Sequence, residues 1–199
     1  MRRVKEKRLQ SDPAVMAVKS FMHALRKEFP FNLLDDNFTD TPQRVVKSYR
    51  EMLSGYSEDP RKILNTNFDS GRYDQMIVVK DIDFYSMCAH HMLPFFGKLA
   101  VGYLPNNGRV VGLSKIARVC QTFARRFQLQ ERMTSEIANA IQDVMRPNGV
   151  GVIAYDVKHL CMLMRGVKQH TSTMTTSCLL GEFRDDNAVR NEFLKLAGL

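Results

Sequence analysis

Apolar positions change their period twice along the chain. From Asp12-Pro13 the residues Val15, Val18, Phe21, Met22 and Leu25 recur at helical spacing and stop before Pro30. Asp as N-cap with Pro at the first helical position starts such a helix. Asp40-Thr41-Pro42 is a second start. Val45, Val46, Tyr49, Met52 and Leu53 mark one face of that helix, and Gly55 is its expected C-terminal cap. Residues 56–74 read as a polar connector with a short helical piece at Pro60–Leu64, and the polar residues 1–11 are expected to fray. From Met76 the period shortens to that of a strand. Met76–Phe84 leads into a turn at Cys88–His91, and Leu93–Leu104 follows as a second strand. Asn106-Asn107-Gly108 reads as a hairpin turn from which Arg109–Gly112 returns.

The helical period then resumes. Ser114 is expected to cap a helix through about Phe127. Gln130-Glu131 opens another, with Ile137, Ala140, Ile141 and Val144 on its apolar face, ended by Pro147-Asn148-Gly149. The β-branched run Val150–Met164 predicts a strand. Thr173–Phe183 predicts one more, and Asp185–Leu196 a final short helix. This order gives an α+β fold, an antiparallel sheet with helices on one face. The expected division is an N-terminal helical region, 1–74, and a sheet-bearing catalytic domain, 75–199.

Composition narrows the class. In 199 residues, 44% of them apolar, one core is expected. No apolar run approaches the ~20 residues that span a bilayer. The basic start Met1-Arg-Arg-Val-Lys-Glu-Lys-Arg has no apolar signal region after it, so a cytoplasmic protein is expected. The net charge of +8 admits a nucleic acid or a small polyanion. The basic residues are dispersed, with no recognisable nucleic-acid motif beside them, and a small polyanionic substrate explains the charge equally well.

The chemistry concentrates in Cys88-Ala89-His90-His91 and His159-Leu160-Cys161. Cys88 and His91 are spaced so that one tight turn aims both at a point, as metal sites do. If His159 and Cys161 lie in a strand, they share a face, and Cys161 supplies a third ligand. Two thiolates and one imidazole leave a fourth tetrahedral position open. A catalytic zinc uses that position to hold a water and lower its pKa to about 7. His90 and His159 then remain for proton transfer. Taken singly, a strand Cys is more often a small buried hydrophobe, and Cys120 and Cys178 read that way. Ser114, Lys115 and Arg118 open a helix, a place suited to phosphate. Arg44 and Lys47, one turn apart, read from their spacing alone as a solvated face.

From about Thr39 to Phe183 the chain resembles the GTP cyclohydrolase I family. The resemblance rests on Thr41-Pro-Gln-Arg-Val45, Phe84–His91, Pro94–Lys98, Gly112–Arg118, Gln128–Thr134, Arg146–Val150 and His159–Val167. It implies a tunnelling fold (T-fold), Zn2+ as cofactor, and hydrolysis of GTP to 7,8-dihydroneopterin triphosphate with loss of C8 as formate. It also implies a homodecamer with active sites between subunits. By position it makes Cys88, His91 and Cys161 metal ligands and His90 and His159 catalytic. Glu131 with Gln130 would read the guanine edge, Glu131 coming from a neighbour of the zinc-bearing chain. Ser114 and Lys115 would lie near the ribose and phosphates, and Arg118, Arg165, Arg44 and Lys47 would hold the triphosphate. The resemblance thereby reverses the solvated-face reading of Arg44 and Lys47. The family usually reads Cys-Glu-His-His, and here Ala89 replaces the Glu. Two alternatives belong beside this reading. One is a related T-fold enzyme that takes another purine nucleotide or stops at the ring-opened product. The other is a nucleic-acid-binding protein with a structural zinc, closed by His90.

Overall fold

The computed structural model describes residues 12–65, 67–69, 71 and 73–199. The segment expected to fray, 1–11, lies outside them. Contacts divide the chain into two compact units, Met1–Leu53 and Ser54–Leu199. With this division the connector 54–74 belongs to the unit that carries the sheet.

The first unit pairs α1 (Pro13–Glu28) with α2 (Thr41–Met52). Asp12 caps α1, its carboxylate accepting from the Ala14 N–H at 3.0 Å. The same carboxylate meets Arg50 of α2 at 2.5 Å, tying the two helices at one end. Asp40 precedes α2 without a side-chain cap bond.

The second unit is built on a five-stranded sheet ordered β5-β2-β3-β6-β7. The strands are β2 (Ile77–Cys88), β3 (Pro94–Leu104), β5 (Phe127–Gln128), β6 (Gly149–His159) and β7 (Met174–Gly181). All pairs are antiparallel except β2–β5. Between them lie α3 (Pro60–Leu64), α4 (Leu113–Ala124), α5 (Gln130–Met145), the single turn α6 (Leu160–Leu163), α7 (Glu182–Asp185) and α8 (Asn187–Ala197). A separate two-stranded ladder joins β1 (Asn67–Asp69) to β4 (Arg109–Val111). The turn at Asn106–Gly108 forms as expected, with Asn107 and Gly108 at positive φ. The returning segment nevertheless pairs with β1 rather than with β3.

The α+β class expected from the sequence is present, and the long helices α4 and α5 cover one face of the sheet. The C-terminal helix, however, covers part of the other. Leu99, Val101, Tyr103, Val150, Val152 and Ala154 face α4 and α5. Ala100, Ile153 and Tyr155 face Phe183 and Phe193. Burial on both sides explains why β3 and β6 read as continuous apolar runs without alternation. Gly102 and Gly151 are paired across these strands. A Cβ on Gly151 would meet the rings of Phe183 and Phe193 at 2.6 and 2.7 Å. The glycines make the hollow that admits both rings.

Two expected caps are different in the structure. Gly55 does not end α2. It lies in a 3-10 turn pressed on the end of α4, where a Cβ would come within 2.1 Å of the Thr122 carbonyl oxygen. Gly112, not Ser114, is the N-cap of α4, and Ser114 stands inside its first turn.

Two bulges set the facing of the side chains. The β2–β3 register slips between Val79 and Ile82, and the β6 register slips between Ala154 and Val157. Asp81 and Asp156 sit at these points with φ of 57° and 52°. Each bulge inserts one residue, so alternation reverses across it. Before the bulges, Val79 and Ala154 face the long helices; after them, Ile82, Phe84, Cys88 and Val157 do. Asp81 also clamps three strands, accepting from Lys98 Nζ and from the Tyr155 hydroxyl, each at 3.0 Å. Lys98, then Tyr155, hold its carboxyl below the usual range. Asp156 is exposed, and its part is the left-handed backbone alone. Asp156→Val, which forces a β-branched residue into that conformation, is expected to cost about 1–2 kcal/mol. Asp156→Gly should not, and thermal melts of the two variants compare them.

Candidate metal centre and active site

The site lies at one end of the sheet, where β2 ends, β3 begins and β6 ends. Cys88 is the last residue of β2 and is buried. The turn after it is closed by two bonds, Met92 N–H to the Cys88 carbonyl and Cys88 N–H to the Leu93 carbonyl, both 2.9 Å. Met92 takes φ 54° to complete it. The Ala89 N–H donates to the Gln128 carbonyl of β5 at 3.1 Å, which fastens the turn to the edge of the sheet. Ala89 is exposed and carries no polar side chain where the family usually has Glu.

Cys161 reaches the same place by a route the sequence reading did not foresee. The strand stops at His159, and Leu160–Leu163 form a helical turn. Cys161 is therefore not on a strand face shared with His159. The change from strand to helix swings its sulfur toward Cys88. One ligand atom from each of Cys88, His91 and Cys161 lies within 4.8 Å of the others, a group able to hold a metal ion. The donors suit zinc, two sulfurs and an imidazole. Burial pushes the Cys161 thiol up, and the Cys88 sulfur beside it pushes it further. A thiol held up in this way is one whose ionisation a bound cation would favour.

Arg165 Nη1 lies 3.1 Å from His91 Nε2. A guanidinium only donates, so the ring accepts there and carries its proton on Nδ1. That tautomer has no lone pair to spare until Arg165 withdraws. His90 turns the other way, its Nδ1 3.9 Å from the Cys88 sulfur.

His159 is the half-buried member. Its ring lies flat on Phe95, centroids 4.6 Å apart and planes within 2°. Its Nε2 is 2.9 Å from Gln130 Oε1. Gln130 is 1% exposed, and its amide nitrogen donates to the Met174 carbonyl at 3.2 Å and to Thr176 Oγ1 at 3.1 Å. Burial lowers the His159 pKa, and the charge of Glu131 opposes the shift. Phe95 and Thr176 escaped the sequence reading. Neither carries a local signal, since they meet His159 and Gln130 only through strand register.

The other candidates lie apart from this cluster in sequence. Ser114 and Lys115 stand in the first turn of α4 and Arg118 one turn on. Arg118, Lys62, Gln121 and Arg125 line a cleft of about 540 Å³. Arg44 and Lys47 are exposed on α2 in the first unit, where Arg44 lies 3.6 Å from Asp40.

Known proteins now bear on this geometry. The family profile for GTP cyclohydrolase I matches residues 16–198. A GTP cyclohydrolase 1 of Wolinella succinogenes is 51% identical over 159 residues, 80% of this chain and 84% of that protein. One from Methylococcus capsulatus is 45% identical over 181 residues, 91% of this chain and 97% of that one. Among solved structures, the apo form of an archaeosine synthase QueF-Like aligns with a TM-score of 0.41 and 17% identity, covering 53% of this chain and 93% of that one. The chain belongs to the GTP cyclohydrolase I family.

Thiol reactivity gives a test of the packing. Cys120 is fully buried, which pushes its thiol up to about 12. In metal-free protein, a disulfide reagent such as DTNB is expected to modify the part-exposed Cys161 before Cys120, which stays untouched until the protein unfolds. Peptide mapping of the labelled cysteines reads the order.

Proposed function

We propose that this chain is a zinc-dependent GTP cyclohydrolase I, which adds water to GTP, releases C8 as formate and yields 7,8-dihydroneopterin triphosphate. The observation that carries the reading is the convergence of Cys88, His91 and Cys161 within 4.8 Å in a chain of this family. These three residues would hold the zinc. When bound, the ion supplies Lewis acidity that brings the pKa of a water to about 7.

The chain's own residues do the rest. His159 and His90 move protons to and from the imidazole ring of the base, making C8 electrophilic and completing its departure. Glu131, with an acceptor-only carboxylate, takes the guanine N1–H and exocyclic amine. Gln130 stands next to it. Ser114 and Lys115 lie toward the ribose and phosphates. Arg118, Arg165, Arg44 and Lys47 neutralise the triphosphate, a use of the +8 charge that needs no nucleic acid.

The protein is further proposed to be a cytoplasmic homodecamer of tunnelling-fold subunits with active sites between them. Among the described residues no helix is long and apolar enough to cross a membrane. The sheet ends in β7 on one side, and on the other β5 covers only Met87 and Cys88 of β2. Two long edges of that kind invite a neighbour's strands.

Metal analysis followed by incubation with GTP tests the activity. Bound zinc, formate and a pterin that fluoresces after oxidation are expected; formate without pterin would mean a ring-opened product. Cys161→Ala is expected to lose zinc and formate release together. Glu131→Ala should keep zinc yet bind GTP on the order of 10- to 100-fold more weakly, the range for a hydrogen bond to a charged group. A calorimetric titration beside a zinc assay separates the two effects.

A further inference from the structure

We infer that Gln130 is a positioning residue for His159, held by Thr176, rather than a reader of the guanine edge. The inference rests on the reaction proposed above. An amide nitrogen can only donate and a carbonyl oxygen can only accept. Because Gln130 Nε2 faces the Met174 carbonyl and Thr176 Oγ1, the amide cannot be flipped, and Oε1 faces the imidazole. His159 Nε2 must then be the donor. The ring is fixed as the Nε2–H tautomer when neutral, and Nδ1 is the nitrogen left to take and return a proton.

Three surfaces confine that ring. Phe95 of β3 lies parallel to it, opposite it in the strand register. Gln130 at the start of α5 holds its edge, and β7 holds Gln130. Three hydrogen bonds of the Gln130 side chain use both amide hydrogens and its oxygen. Burial at 1% exposure leaves it little access to a nucleotide. Glu131, one residue on, is exposed. A buried amide anchored on two sides is costly to leave unpaired, so the bond to His159 is expected to persist through turnover.

Three variants test it: Gln130→Leu, which keeps the bulk, Thr176→Val, which removes one anchor, and Thr176→Ser, which restores it. Gln130→Leu is expected to lower kcat on the order of 100-fold, the scale of a misplaced acid–base group, while KM, the affinity of metal-free protein for GTP, and zinc content stay within about threefold. Thr176→Val should lower kcat severalfold and Thr176→Ser should recover it. A readout independent of turnover is carbethoxylation of His159 by diethylpyrocarbonate, followed by peptide mass spectrometry. Its rate should change severalfold in Gln130→Leu and Thr176→Val, where the bond that fixes which nitrogen carries the lone pair is lost. Wild type inert toward GTP would remove the proposed reaction, and carbethoxylation would still decide the tautomer-holding bond. Equal carbethoxylation in all forms, or a raised KM with unchanged kcat in Gln130→Leu, overturns the inference.

Discussion

The constraint on which this site depends is the pair of one-residue bulges at Asp81 and Asp156. A strand with unbroken alternation puts every second side chain on one face. Along β6, Val150, Val152 and Ala154 face the long helices, so unbroken alternation would send residue 159 to the opposite face. The extra residue at the bulge moves Val157 and then His159 to the helix side, where Gln130 waits. The same shift in β2 turns Cys88 toward the core. The slip therefore decides whether a thiol and an imidazole face the same space. The Asp81–Lys98–Tyr155 clamp spans β2, β3 and β6 at that level and ties the bulged strands together.

Much of this was legible in the residues, for identifiable reasons. Helix starts at Asp12-Pro13 and Gln130, the break at Pro147-Asn148-Gly149 and the β-branched runs are local signals, and the elements appear where those signals stand. The Cys88–His91 turn is also local, and it forms. What escaped depends on partners distant in sequence. A β-bulge carried by Asp has no turn motif around it, so Asp81 and Asp156 read as ordinary polar strand positions. Gly55 resembles a helix cap until the end of α4 is laid against it. Arg109–Val111 looks like the return arm of a hairpin until β1 competes for it. Cys161 was assigned to the right group by the wrong geometry. The apolar run Val150–Met164 gives no sign that the backbone changes from extended to helical after His159.

The electrostatics of the site are shaped by what stands near the sulfurs. Burial and then the neighbouring Cys88 sulfur raise the Cys161 thiol, and Arg165 and His91 meet at hydrogen-bond distance. A guanidinium at that distance occupies the lone pair of His91 Nε2 and sets the tautomer of the ring.

Two imidazoles in one site need different surroundings to act differently. His90 is exposed beside a sulfur, on the turn that follows β2. His159 is half-buried, stacked on Phe95 and bonded at one nitrogen. Burial disfavours its charged form while Glu131 favours it. Burial is the larger of the two influences, so the pKa is lowered, and the ring is held in place from two sides. Stacking against Phe95 fixes the plane, and the Gln130 oxygen fixes the rotation within it. The exposed His90 has neither contact, so of the two it is His159 whose orientation is fixed by the packing of the sheet.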